Sequence, residues 1–196
     1  MSVVVGLEAP GHGAWLAAES QMTNRDDVHT MRTTPKVWRD GIYVIGFVGS
    51  GSEGDMLRYR VDWPLPSDHG VDVHDHDAMY QFMATRFVDT IHQAQAGRPW
   101  ERTSERGEKW GPTLLVAVAD QVYSVFSDYQ VLRTTCGYHA IGSGDALALG
   151  ALHALTTYNT GQITPATIVA RAVEAAKVHH GDCGGPTVVV ATGVDQ

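Results

Sequence analysis

Short runs of β-branched and aromatic residues alternate along the chain with longer segments in which apolar residues recur every three or four positions. The runs read as strands and the recurring segments as amphipathic helices. Residues 3–7 and 14–19 make a first strand pair across the turn Pro10-Gly11-His12-Gly13, whose glycines supply the positive φ of a tight turn. Residues 36–39 and 42–48 make a second pair around the hairpin signal Asp40-Gly41, and the later strand runs into Gly49-Ser50-Gly51-Ser52. Ser52 is the candidate cap of a short helix reaching Arg60, after which Trp63-Pro64-Leu65-Pro66 interrupts any helix, since an internal proline removes a backbone donor. Over residues 77–95, Met79, Phe82, Met83, Phe87 and Ile91 fall at helical spacing, which predicts an amphipathic helix. Residues 97–111 are polar, contain Pro99, precede Pro112 and read as a loop.

Three strands are predicted next, over 113–119, 122–127 and 130–134, with turns at Asp120-Gln121 and Asp128-Tyr129; close succession makes them a meander. Helices follow over 143–158 and 164–179, the second opened by Thr164-Pro165 as cap and first-turn proline. A buried strand over 187–191 closes the series. Strands, helix pair, strands, helix pair and strand in this order suit an α+β fold of antiparallel sheets with helices on their outer faces.

Composition narrows the picture without changing it. The 196 residues fit one domain spanning 1–196, and 43% hydrophobic with 18% charged residues is the balance of a folded globular chain. A net charge of −8 and a pI near 5.6 argue against nucleic acid or an anionic membrane as partner, because both are bound through clustered Lys and Arg. Small molecules or proteins are the expected ligands. No apolar run reaches the roughly 20 residues of a membrane span, and no basic stretch followed by an apolar one opens the chain, so a cytoplasmic protein is expected. Cys136 and Cys183 have neither CxxC nor disulfide-framework spacing, which suits a reducing compartment and gives no zinc signal.

Chemistry concentrates in a few segments. Met1-Ser2-Val3-Val4-Val5 places a hydroxyl residue behind the initiator methionine and at the head of a strand. Serine is small enough for that methionine to be clipped. Ser2 would then carry both a nucleophilic hydroxyl and a free α-amine, whose unperturbed pKa of roughly 7.7–8.0 lets it serve as that hydroxyl's base. Alone, the segment reads first as an ordinary chain start. Lys36 opens a strand of β-branched and aromatic residues, where an ammonium is costly unless paired; Glu19 can pair with it, or Lys36 can lie solvated at the strand end. Gly46-Phe47-Val48-Gly49-Ser50-Gly51 offers amides unshielded by a Cβ at a strand-to-helix junction, suited to an oxyanion or simply to a turn. Ala140-Ile141-Gly142-Ser143-Gly144-Asp145 leads into a helix in the same way.

The order of these segments resembles the peptidase β-subunits of proteasomes and of the bacterial heat-shock ATP-dependent protease. Those chains open with an N-terminal threonine strand. They continue with a segment like AADSRAT, a lysine followed by valine, a turn such as GFAGS, a strand reading LLAVAD, and AIGSG opening a helix. The corresponding strings here are AAESQMT from Ala17, Lys36-Val37, GFVGS from Gly46, LLVAVAD from Leu114 and AIGSG from Ala140. The resemblance implies a single peptidase domain with a four-layer αββα sandwich, the N-terminal-nucleophile hydrolase architecture. It implies Ser2 as nucleophile in place of threonine and Glu19 in place of the aspartate that orients Lys36. It also implies Gly49 at the oxyanion hole and Ser143 assisting the terminal amine. Near the end, His180 falls on a position where the family often has aspartate, with Asp182 two residues later; either remains a candidate. The implied assembly is a homo-oligomeric ring or double ring that degrades unfolded polypeptides, served by an AAA+ unfoldase ATPase, with no metal or organic cofactor.

Other classes compete. A ring subunit of the same fold that has lost catalysis is the main rival, and Glu19, His180 and the serine nucleophile leave room for it. Gly142-Ser143-Gly144-Asp145 through Gly150 also looks like the GAGD signature of ribokinase-like sugar kinases, which need a long βα alternation ahead of the motif where this chain has hairpins. His69, Asp72, His74, Asp75, His76 and Asp77 look like the metal strand of amidohydrolases, but that site needs a barrel of roughly 250 residues. A solvated loop capping the following helix is the simpler expectation.

Overall fold

The computed structural model describes residues 2–23, 28–96, 112–159 and 161–193, together with the backbone of residues 102–103 and 109–110. Two antiparallel sheets form its centre. The first has the strand order β12-β1-β2-β13, formed by β1 (Val3–Glu8), β2 (Ala14–Ala18), β12 (Tyr138–Gly142) and β13 (Val188–Ala191). The second has the order β11-β10-β9-β6-β5, formed by β5 (Val37–Asp40), β6 (Tyr43–Val48), β9 (Thr113–Val118), β10 (Gln121–Val125) and β11 (Val131–Leu132). Between them in sequence lies a small hairpin of β3 (Gln21–Thr23) and β4 (His29–Met31).

Alternation along β1 explains the layering, because successive side chains of a strand point to opposite faces. Val4 packs with Leu16, Val44, Leu115 and Ala117 in a core between the sheets. Val3, Val5 and Leu7 point the other way, onto α4 (Asp145–Thr157) and α5 (Pro165–His179) through Leu152, Val169 and Val173. The second sheet does the same with its outer face: Tyr43, Ile45, Phe47 and Val116 pack on α1 (Gly51–Tyr59), α2 (His76–Phe82) and α3 (Val88–Gln95). Helices, sheet, sheet and helices form a four-layer αββα sandwich.

Several elements differ from expectation for definable reasons. The first helix is capped by Ser50, whose Oγ accepts from Glu53 N at 3.3 Å while the Glu53 carboxylate accepts from Ser50 N at 2.7 Å. That reciprocal capping box starts the helix at Gly51 and leaves Ser52 inside its first turn, with the shorter Asp55 three residues on. The segment read as one helix over 77–95 is capped by Asp75 and contains a π turn, Met83–Phe87; there Phe87 stacks on Trp63 and packs edge-on against Tyr43. The second hairpin turns at Gly41-Ile42, so β6 begins at Tyr43, and the meander turn falls on Ala119-Asp120, leaving Gln121 inside β10. β13 is half-buried, an edge strand beside β2. Within the expected loop 97–111, β7 (Arg102–Thr103) pairs with β8 (Lys109–Trp110); its other residues lie outside the described ones. β3, β4 and β12 are additions to the elements expected from the sequence.

The His69–Asp77 segment spends its groups on local order. Asp72 Oδ1 accepts from His74 N at 2.9 Å, Asp75 Oδ1 caps α2 at Ala78 N, and the His69 ring lies against Phe82. Among the described residues no group of three or more His, Cys, Asp or Glu side chains converges as a metal site, and no helix is long and apolar enough to cross a membrane.

Candidate active site

Strand register brings the site together. Val3 pairs with Gly142 on one side of β1, and Val4 with Ala18 on the other. Continuing both ladders toward the start of the chain sets Ser2 beside Ser143 and Val3 beside Glu19. In the facing sheet Val37 pairs with Gly46, so Lys36 and Gly49 flank the same end of the sandwich. Five residues far apart in sequence therefore meet where the two sheets end.

Lys36 is the hub. Its ammonium donates to Ser2 Oγ at 2.8 Å, to the Glu19 carboxylate and to the main-chain carbonyl of Gln21. Three donors thus meet three acceptors, the full capacity of an ammonium group. Glu19 is wholly buried; beyond Lys36 it accepts from Val3 N at 3.3 Å and Gln21 N at 2.6 Å. These bonds satisfy a carboxylate that would otherwise be very costly in the interior. Burial pushes the Lys36 pKa below its ordinary 10.5; Glu19 opposes that shift and the nearby charge of Arg32 adds to it.

Ser2 N donates to Ser143 Oγ at 3.2 Å, and Gly144 N donates to the Ser2 carbonyl at 3.3 Å. Gly142 makes this contact possible. Its φ is +105°, and a Cβ there would fall on the Ser2 carbonyl oxygen. Gly49 has φ +151° and would set a Cβ 2.7 Å from Glu53 Oε2, so the capping box of α1 and the glycine turn require each other. Ser2, Lys36 and Gly49 line a common cleft of about 140 Å³ with Gln21, Met22, Arg32 and Phe47 among its other walls.

His180 and Asp182 sit in the turn after α5. Their side chains lie 3.8 Å apart, and Asp182 N donates to His180 Nδ1 at 3.3 Å. The turn reaches the site through Gly181, whose carbonyl accepts from Gln21 Nε2 at 3.1 Å. No bond from either side chain to Ser2 or Lys36 is present among the described residues. Cys183, in the same turn, is buried against the position of Gly144, and burial first, with the Glu19 charge second, pushes its thiol up to about 11. It is therefore an inert thiol at neutral pH.

Sequence reasoning passed over two contributors. Gln21 acts through its carbonyl, which no side-chain pattern reveals. Arg32 follows a short strand that itself carries no clear signal. The GSGD segment forms the end of β12 and the start of α4 in an antiparallel sheet, which is incompatible with the parallel βα alternation of a sugar kinase.

No protein-family model matches the sequence. Solved structures do. The BPH protein of Thiobacillus denitrificans superposes with a TM-score of 0.74 at 18% identity, covering 100% of both chains. Its complex with epoxomicin gives 0.73 at 19%, covering 98% of this chain and 100% of that one. HslV from Trypanosoma brucei gives 0.66 at 18%, covering 96% and 97%. The chain thus has the proteasome-like fold of these proteins along nearly its whole length.

Proposed function

We propose that this chain is an N-terminal-nucleophile peptidase whose nucleophile is Ser2, exposed as the first residue by removal of Met1. The observation that carries the reading is the Lys36 ammonium 2.8 Å from Ser2 Oγ, with a buried carboxylate behind it. A cation there favours the alkoxide of Ser2 over the alcohol. Oγ attacks the scissile carbonyl carbon and its proton passes to the Ser2 α-amine, held by Ser143. The tetrahedral intermediate collapses as the leaving amine takes that proton, and water then hydrolyses the acyl ester. An amide at Gly49 supports the oxyanion, a contribution of about 3 kcal/mol per donor. The turn that carries His180 and Asp182 positions Gln21 through the Gly181 carbonyl. No metal or organic cofactor enters the reaction.

Substrates in this reading are unfolded polypeptides, degraded inside a homo-oligomeric ring or double ring fed by an AAA+ unfoldase. Likeness of fold to HslV supports this setting. Intact-mass measurement of the purified protein tests the first requirement: a mass that includes Met1 leaves Ser2 N as an amide and overturns the reading in favour of an inactive ring subunit. With Met1 absent, Ser2→Ala should abolish hydrolysis of casein and fluorogenic peptides while the assembly state stays unchanged. Persistent hydrolysis would exclude Ser2. Epoxomicin, held by the BPH structure, is the direct binding probe.

A further inference from the structure

The cleft beside Ser2 has a one-sided charge. Lys36 and Arg32 are the charged residues among the described ones that line it, and both are cations. Lys36 is fully engaged by Ser2, Glu19 and the Gln21 carbonyl. Arg32 is differently placed. Its main-chain N–H donates to the Ser20 carbonyl at 2.9 Å, which anchors it to the end of β2, and its guanidinium lies 5.6 Å over the Phe47 ring on the cleft wall. Its side chain is 14% exposed. Among the described residues the carboxylate beside it is Asp55 on α1, 3.8 Å away with 64% of its side chain in solvent, an exposed partner whose ion pair contributes little.

The walls fit a short polar chain. Phe47 and Met22 supply apolar sides, and Arg32 supplies a planar cation with several N–H donors. Arg32, Met22 and Gly51 also line a second depression of about 370 Å³, so the guanidinium stands where a peptide crossing from one to the other would pass.

We propose that this cleft receives the side chain of the residue on the acyl side of the scissile bond and selects an acidic one, with Arg32 as the specificity residue. The proposal rests on the peptidase reading above for its orientation, and deepens it by naming the substrate class. Glutamate fits better than glutamine of the same shape because a charge-assisted hydrogen bond to guanidinium is about twice as strong as a neutral one.

Two measurements separate this proposal from the peptidase reading. In the first, kcat/KM is compared for fluorogenic peptides that differ only in Glu, Gln or Arg before the scissile bond. The expected order is Glu over Gln by roughly tenfold, with Arg lowest; Arg32→Gln should bring the Glu/Gln ratio close to one, and Asp55→Asn should raise it. In the second, uncleavable Ser2→Ala protein is titrated with labelled peptides ending in Glu-amide or Gln-amide, read by fluorescence anisotropy. Tighter binding of the Glu peptide that disappears in Arg32→Gln sustains the proposal even if no peptide is hydrolysed. Equal binding and equal kcat/KM for Glu and Gln overturn it, and leave the peptidase reading standing if hydrolysis still depends on Ser2.

Discussion

Replacing Glu19 by glutamine perturbs the charge pair on which the site is built. Glu19 is 0% exposed, and its two oxygens accept from Val3 N, Gln21 N and the Lys36 ammonium. Glutamine keeps the shape but offers one acceptor oxygen and one NH₂ group, so at least one of these donors is left facing another donor. It also strands the Lys36 charge, itself 4% exposed. Breaking a buried pair by removing one partner costs about 3–5 kcal/mol, and that is the loss expected in urea unfolding followed by tryptophan fluorescence at fixed protein concentration. The pH dependence has a definite sign. Burial already holds Lys36 below 10.5 and Glu19 opposes it, so without Glu19 the pKa of the folded state falls further. The unfolded chain then keeps a proton that the folded chain has released, and stability rises with pH wherever that holds. The deficit of Glu19→Gln should therefore shrink as pH climbs toward 10.5. Adding Lys36→Met should restore a large part of it by removing the stranded charge. A single variant within about 1 kcal/mol of the parent, when 3–5 is expected, or a deficit that widens with pH, would refute the buried pair.

Gly142→Ala should lower stability by about 1–3 kcal/mol for its left-handed φ alone. It should also displace Ser2, whose carbonyl the new Cβ would meet, so peptide hydrolysis should fall further than unfolding of the chain explains; full activity would contradict the packing of β12 on Ser2. Ser50→Ala breaks one arm of the capping box and should cost about 1 kcal/mol, measured as a shift in urea midpoint at constant m-value. Because Cys136 is exposed and burial raises Cys183 to about 11, a thiol reagent at pH 8 should titrate a single thiol per native chain and both after denaturation. Immediate reaction of both thiols in the native protein would show that the turn after α5 is open.

Much of the fold follows from local pattern. The alternation of Val3, Val4 and Val5 splits into the two core faces as the strand period requires, and Thr164-Pro165 starts α5 where cap chemistry places it. Elements whose sequence carries weaker signals escaped. β12 contains Tyr138-His139 and ends in the glycines of GSG, so it reads as a lead-in to α4 until β1 is there to pair with it. β3 and β4 are three residues each, and β4 is exposed throughout, which leaves no periodicity to detect. The same contrast holds within the site. Lys36 beside an apolar strand signals a buried cation in want of a partner, but the partner is chosen by register: Glu19 follows β2, Lys36 precedes β5, and the two meet because two different sheets stop at one level. Arg32 lies one residue beyond β4 and owes its position to a main-chain bond with Ser20, so its place in the cleft depends on a strand pair that local sequence does not announce. The groups proposed for catalysis thus left a chemical trace in the sequence, whereas the group proposed for selectivity is visible only once the backbone around it is in place.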